Sequence, residues 1–361
     1  MKITSVYIHI PFCKYICSYC DFCKKYVKYY NVDEYLDLLE KEIELYLNEP
    51  MEIKTLYIGG GTPSVLTIKQ LKRLEKIINR FFIFKNNYEF SFEMNPDDIN
   101  EDYLNELKKL KVNRISVGIQ TLNNKILKEL GREYNLNLIE KNINLLQKYF
   151  DNISVDFMFN LPFETKNDYD KMFDFIKNNQ GIKNISVYSL ILAKNTKLFL
   201  KNYDYLTEDN EALVYEYMQK NFENLGYLQY ETSNFAKNGY EAKHNFVYWR
   251  NQNYYGFGLG ASGYYQNIRY QNVYSFNNYQ KLINKRKKPY QNKEEITDYI
   301  KKYETIMLGL RTNEGIDYNL VKKMKLDNEK CDIINNKLII KNKYYFIQNE
   351  IIINLLNQLE E

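Results

Sequence analysis

The chain has 361 residues, 45% hydrophobic and 27% charged, a balance that gives a globular protein with a sizeable core and excludes a disordered one. No apolar run approaches the length of a membrane span, and the first fifteen residues lack the basic start, long apolar stretch and cleavage site of a secretory signal, so a soluble cytoplasmic protein with reduced thiols is expected. The net charge is only +4, and the one dense basic run, NNYQKLINKRKK (277–288), reads as a solvated helix face; nucleic acid is not an expected partner, and any membrane contact would be peripheral.

A strand-like run, TSVYIHI (4–10), leads into CKYICSYCDFCKK (13–25), and an amphipathic helix follows over 32–47. KTLYIGGG (54–61) is a strand ending in glycines, with a helix over 67–82. YEFSFEMNP (88–96) precedes a helix over 100–110, and NRISVGIQ (113–120) precedes one over 137–149. ISVDFMFNLP (153–162), a helix over 166–177, NISVYSLIL (184–192) and a helix over 207–226 complete the series. Such alternation predicts an α/β fold built as a partial (β/α)6 barrel of parallel strands over residues 1–235. In that architecture chemistry gathers at strand ends, where the cysteine loop, Gly59–Gly61, Glu93, Gln120 and Asp156 fall.

Past residue 235 the composition turns Tyr-, Asn- and Gly-rich, and 236–290 reads as a connecting segment packed on the barrel. From 291 a helix over 294–310, a helical stretch, a strand pair around KLIIKNKYYFI (337–347) and a final helix predict a C-terminal α+β winged-helix-like module. A winged helix does not by itself imply DNA binding.

Four of the five cysteines, Cys13, Cys17, Cys20 and Cys23, are spaced C-x3-C-x2-C-x2-C. In a reducing compartment that crowding means metal rather than disulfide. It suits an iron–sulfur cluster better than zinc, because the second C-x2-4-C knuckle of a structural zinc site is missing. Cys23 is read as a buried thiol with an auxiliary ligand as the alternative, and Cys331 as core. His9 either orients the cysteine loop or is a hydrogen-bonded structural residue.

The C-x3-C-x2-C spacing, Tyr19 before its last cysteine and the downstream GGGTP resemble the radical S-adenosylmethionine superfamily. Within it, YIHIPFCKYICSYCDF, YIGGGTPSVL, FEMNP, RISVGIQTLNNKILKELGR, SVDFMFNLPFET and SVYSLIL resemble the anaerobic coproporphyrinogen oxidase group, in matching order over nearly the whole chain. The resemblance implies that Cys13, Cys17 and Cys20 hold a [4Fe-4S] cluster. Its free iron would bind S-adenosylmethionine, which an electron from the cluster cleaves to a 5'-deoxyadenosyl radical. Tyr7, Tyr19, Gly60, Gly61, Thr62, Glu93, Gln120, Arg132 and Asp156 would line the S-adenosylmethionine site, and an electron donor for the cluster would be a partner.

HNFVYW (244–249), with YETSNFA (230–236) before it, is similar to the HNxxYW signature of the heme-chaperone branch of that group, which is associated with heme binding and transfer. The oxidases lack this signature and carry an extension ahead of the cluster loop for which twelve residues leave no room. The resemblance therefore implies heme as cargo, heme-acceptor proteins as partners and His244 as heme-binding residue, with Tyr248 and Trp249 packing on the macrocycle. Coproporphyrinogen decarboxylation, or radical chemistry on another substrate, is the alternative. A His–Asn corner in an aromatic core is the alternative for the motif itself.

Overall fold

The structure is a computed structural model that describes residues 2–194, 196–201, 203 and 206–359. Six parallel strands lie side by side in chain order: β1 (Ser5–Ile10), β2 (Met51–Gly60), β3 (Phe82–Met94), β4 (Arg114–Gln120), β5 (Ile153–Phe159) and β6 (Ile182–Ser189). Between them run α1 (Val32–Glu44), α2 (Ile68–Phe81), α3 (Glu101–Lys109), α4 (Asn124–Glu129), α5 (Leu136–Leu146) and α6 (Lys166–Asn178), the partial (β/α)6 barrel that the alternation predicts. Polar side chains start these helices where they would otherwise leave amides unpaired. Thr67 and Gln70 form a reciprocal capping box on α2, and Asn31, Asn100 and Asn135 cap α1, α3 and α5.

The sheet has two chemically distinct faces. Side chains alternate along a strand, and Val6, Ile8, Ile10, Leu56, Ile58, Phe90, Phe92, Ile115, Val117 and Val155 are fully buried with the core side chains of the helices, such as Leu74 and Ile77 of α2. The other face is polar from strand to strand. Tyr7 lies opposite Tyr57, Tyr57 opposite Ser91 and Ser91 opposite Arg114; one row further, Glu93 lies opposite Ser116, and Gly118 opposite Asp156. A lining of buried hydroxyls, carboxylates and a guanidinium is costly unless every group finds a partner, so it marks the barrel interior as the working face.

After α7 (Glu208–Asn224), β7 (Leu228–Glu231) and β8 (Asn234–Ala236) continue the sheet antiparallel beyond β6. The short helix α8 (Lys243–Trp249) follows, and β9 (Tyr255–Phe257) pairs in parallel with β1 at the opposite edge. The segment 236–290, expected only to pack on the barrel, thus also supplies the strand at its β1 edge. Next come β10 (Ser262–Tyr265), β11 (Ile268–Asn272), α9 (Phe276–Asn284) and β12 (Tyr290–Glu295), whose three strands form an antiparallel sheet.

The C-terminal elements are α10 (Asp298–Gly309), β13 (Ile316–Asp317), β14 (Cys331–Ile334), β15 (Lys337–Ile340) and α11 (Gln348–Leu356). Two details differ from the expectation. Glu294 and Glu295 belong to β12, paired with β11, and α10 begins only after Thr297, whose hydroxyl caps Ile300 N. The strand pair is β14 with β15, joined through Asn335 and Asn336 at φ 49° and 62°, a left-handed hairpin turn that asparagine tolerates, whereas KYYFI leads into α11. Among the described residues no helix is long and apolar enough to cross a membrane.

Candidate functional site

The cysteine loop leaves β1 and is held from three sides. Gly61 N donates to Ile10 O (2.9 Å) and Thr62 N to Phe12 O (2.8 Å), and the Thr62 side chain lowers the Cys13 thiol pKa. Ser18 N donates to Leu130 O (2.9 Å) after α4, and Ser18 O accepts from Leu198 N (2.8 Å). Cys13 and Cys20 are raised chiefly by burial, with neighbouring cysteines of the loop adding to the rise and Arg132 opposing it. Burial pushes the Cys13 thiol up to about 12, so its thiolate requires a cation beside it. Among the described residues no three His, Cys, Asp or Glu side chains converge on a single ion position. An iron–sulfur cluster instead offers each thiolate its own iron. Cys23 stands apart: a Cβ added to Gly260 would come within 2.7 Å of its sulfur, and its carbonyl accepts from His9 Nε2 (2.8 Å).

Because that carbonyl can only accept, His9 carries its proton on Nε2, and Nδ1 accepts from the Tyr7 hydroxyl (2.9 Å). Burial lowers the His9 pKa to about 4, which keeps the ring neutral. It lies flat against Gly60, where φ is +122° and a Cβ would meet the imidazole at 2.7 Å. Gly60 N donates to Glu93 Oε2 (3.0 Å) and Tyr57 to Glu93 Oε1 (2.8 Å). Burial raises Glu93 to about 7 against those two hydrogen bonds. Asp156, two strands away, accepts from Ser116 Oγ (3.1 Å) and is also raised by burial. Gln120 ends β4 at φ +66°, with Tyr134 donating to its Oε1 (3.4 Å). Arg132 donates to Asn95 Oδ1 (2.8 Å) and to the Tyr19 hydroxyl (2.9 Å), while its buried Nε has no partner. The structure therefore gathers the predicted residues around the cysteine loop and the ends of β1–β5.

His244 is placed differently. It is fully buried at the start of α8, with Nδ1 2.8 Å from Thr55 Oγ1 and Nε2 2.8 Å from the Tyr248 hydroxyl. The amides of Lys243 and His244 donate to Glu89 at 2.8 and 3.0 Å, and the imidazole packs on Tyr57 with ring centroids 5.4 Å apart. Burial, with Arg114 nearby, lowers its pKa to about 3. Both ring nitrogens of His244 thus have hydrogen-bond partners within the protein, and the ring ties α8 to the barrel floor. What the motif does present is Asn245, Tyr248 and Trp249, which line a cleft of about 490 Å³ with Tyr188, Tyr254, Tyr264 and Arg269.

Residue-by-residue reading missed Glu89, Arg114, Ser116 and Asn95. Their signal was the polar residue at every second position of otherwise apolar strands, as in EFSFEM and RISVGIQ.

Barrel, cysteine loop and glycine-lined carboxylate define a radical SAM protein, and the Radical SAM superfamily profile matches residues 7–176. The heme chaperone HemW of Lactococcus lactis is 36% identical over 95% of this chain and 92% of its own, and that of Bacillus subtilis 39% identical over 86% and 84%. The chain belongs to the HemW family. In fold it is similar to the Escherichia coli coproporphyrinogen III oxidase HemN, with a TM-score of 0.84 and 21% identity over 99% of this chain and 91% of that one.

Radical SAM membership brings a [4Fe-4S] cluster and S-adenosylmethionine. The described residues fit both: three thiols on one short loop, a glycine cradle that any Cβ would fill, and a buried guanidinium nitrogen without a partner.

Proposed function

We propose that the protein is a heme chaperone, carrying heme in the cleft against α8 and passing it to acceptor proteins. Cys13, Cys17 and Cys20 would hold the cluster, and Gly60, Gly61, Glu93, Asp156 and Arg132 would seat S-adenosylmethionine beside it, with Tyr7, Tyr19, Thr62 and Gln120 completing the wall. The cluster supplies electron transfer to its bound ligand. This chain's own residues bind and orient. Curated relatives of nearly equal length carry the name heme chaperone. The carrying observation is the contact chain from that seat to the cleft: Glu93 to Tyr57, Tyr57 to His244, and His244 to Tyr248, which lines the cleft. The cleft falls within the usual volume of a ligand pocket, and its aromatic lining suits a flat, largely apolar macrocycle. On this reading 1–235 is the barrel, 236–290 the connecting segment and 291–361 a winged-helix-like module whose α10 contributes Glu304 and Leu308 to the cleft.

The test is a heme titration of the anaerobically reconstituted protein beside an assay for coproporphyrinogen III decarboxylation. Native protein binds heme and forms no protoporphyrinogen IX, and Trp249→Ala weakens heme binding on the order of tenfold by removing buried aromatic area. Decarboxylation by the native protein would replace this reading with the oxidase, and unchanged affinity in both Trp249→Ala and Asn245→Ala would move the heme out of the cleft.

A further inference from the structure

The surface beside the cysteine loop is both apolar and basic. Ser18 joins that loop to Leu130 after α4 and to Leu198, so the cysteine loop, α4 and residues 190–194 and 196–201 adjoin one another. Beneath them Ile126, Leu130, Leu161, Leu190 and Leu198 make a small core of their own. Phe22 on the cysteine loop, Phe163 beside α4 and Ile191 and Leu200 are 68, 52, 83 and 79% exposed, large apolar side chains left in water. Lys125, Lys128, Lys194, Lys197 and Lys201 stand exposed among them, with Lys125 over the Phe163 ring at 4.2 Å. Among the described residues of these segments acidic groups are few. Glu129 is occupied by Lys201 and Tyr203, leaving Asp21 and Glu133.

None of these residues lines the heme cleft, which is built from Tyr188 and residues 231–308. Cys17 and Cys20, flanking Ser18 on the same loop, are by contrast only partly buried. From this juxtaposition we infer that the face is the docking surface for an acidic one-electron carrier protein that reduces the cluster. The inference rests on the cysteine assignment proposed above. Lysines would steer the carrier and the apolar residues would hold it briefly, the pattern of small, transient electron-transfer contacts. In the step itself the reduced carrier loses one electron, the oxidised cluster gains it, and no proton or group moves.

The experiment mixes the reconstituted protein anaerobically with photoreduced flavodoxin of strongly acidic surface and follows bleaching of the cluster. The second-order rate should fall on the order of tenfold between low and high salt, and by a similar factor in the combined Lys128→Glu, Lys194→Glu, Lys197→Glu variant. The same charge change at Lys322, Lys323 and Lys325 should leave it unaltered, and reduced methyl viologen should still reduce every variant. Cluster absorbance recorded before mixing separates the two readings. Its absence from native protein overturns the cysteine assignment and this inference with it. Full absorbance with a salt-independent rate, shared by the face variant, overturns the docking surface alone. So does a face variant that keeps the rate but loses binding to phosphatidylglycerol vesicles, which would give the face to a membrane instead.

Discussion

Individual side chains here act through what they leave room for. Gly60 is the sharpest case: with φ at +122° and the His9 ring where a Cβ would stand, no other residue fits without moving the imidazole that braces the cysteine loop. Gly60→Ala should cost about 2 kcal/mol or more in unfolding free energy and weaken S-adenosylmethionine binding, read by thermal melts and equilibrium dialysis. A variant as stable as native would mean that His9 swings aside freely. The four clustered cysteines should also separate by role. Cys13→Ala, Cys17→Ala and Cys20→Ala should each abolish the reconstituted cluster absorbance, while Cys23→Ser, packed against Gly260, should keep it; equal iron loss in all four would make Cys23 a ligand.

At the scale of elements, α8 is held by a few polar contacts. Its first amides rest on Glu89 and its histidine on Thr55, so a seven-residue helix sits firmly on the floor of the barrel. Thr55→Val keeps the shape but removes one hydrogen bond; it should cost about 1 kcal/mol and loosen heme binding without shifting the absorption maximum of the heme that still binds. His244→Ala should cost more, about 2–4 kcal/mol, again with an unshifted maximum. A shifted maximum in His244→Ala would make the imidazole an iron ligand. The barrel strands and most helices were legible because two-residue alternation and polar caps such as Thr67 are local signals. The placement of His244 was not: its partners Thr55 and Glu89 lie 189 and 155 residues away, beyond the reach of any local pattern. β9 was hidden for the same reason, since three residues rich in aromatics and glycine show no strand period, and only the free edge of β1 calls them into the sheet.

Over the whole molecule, several acids among the described residues are withdrawn from solvent with no salt bridge, and four of them hold their protons to markedly higher pH. Glu42, fully buried on α1, accepts from Gly258 N (2.7 Å), Asn272 Nδ2 (2.6 Å) and the Tyr279 hydroxyl (2.5 Å), tying the glycine-rich segment and α9 to the barrel. Burial raises Glu42, Glu93 and Glu231 to about 7 and Glu164 to about 8. With an unfolded value near 4.5, each acid keeps its proton longer in the folded state, so its contribution is full at low pH and is lost as pH rises through the folded pKa. A tenfold difference in proton affinity between the folded and unfolded chain is worth about 1.4 kcal/mol. The histidines run the other way: held neutral in the fold down to about 4 and 3, they penalise folding below 6.5 and contribute nothing further above it. Between pH 6.5 and 8.5 the acids therefore act unopposed by histidine. The melting temperature, measured without added S-adenosylmethionine, should fall across that window by an amount equivalent to a few kcal/mol. Glu42→Gln can keep two of the three hydrogen bonds by turning its carbonyl to the donors, and its amide never ionises. It should therefore melt with a shallower slope over the same window, whereas a native melting temperature that rises from pH 6.5 to 8.5 would mean that these carboxyls are already ionised in the fold.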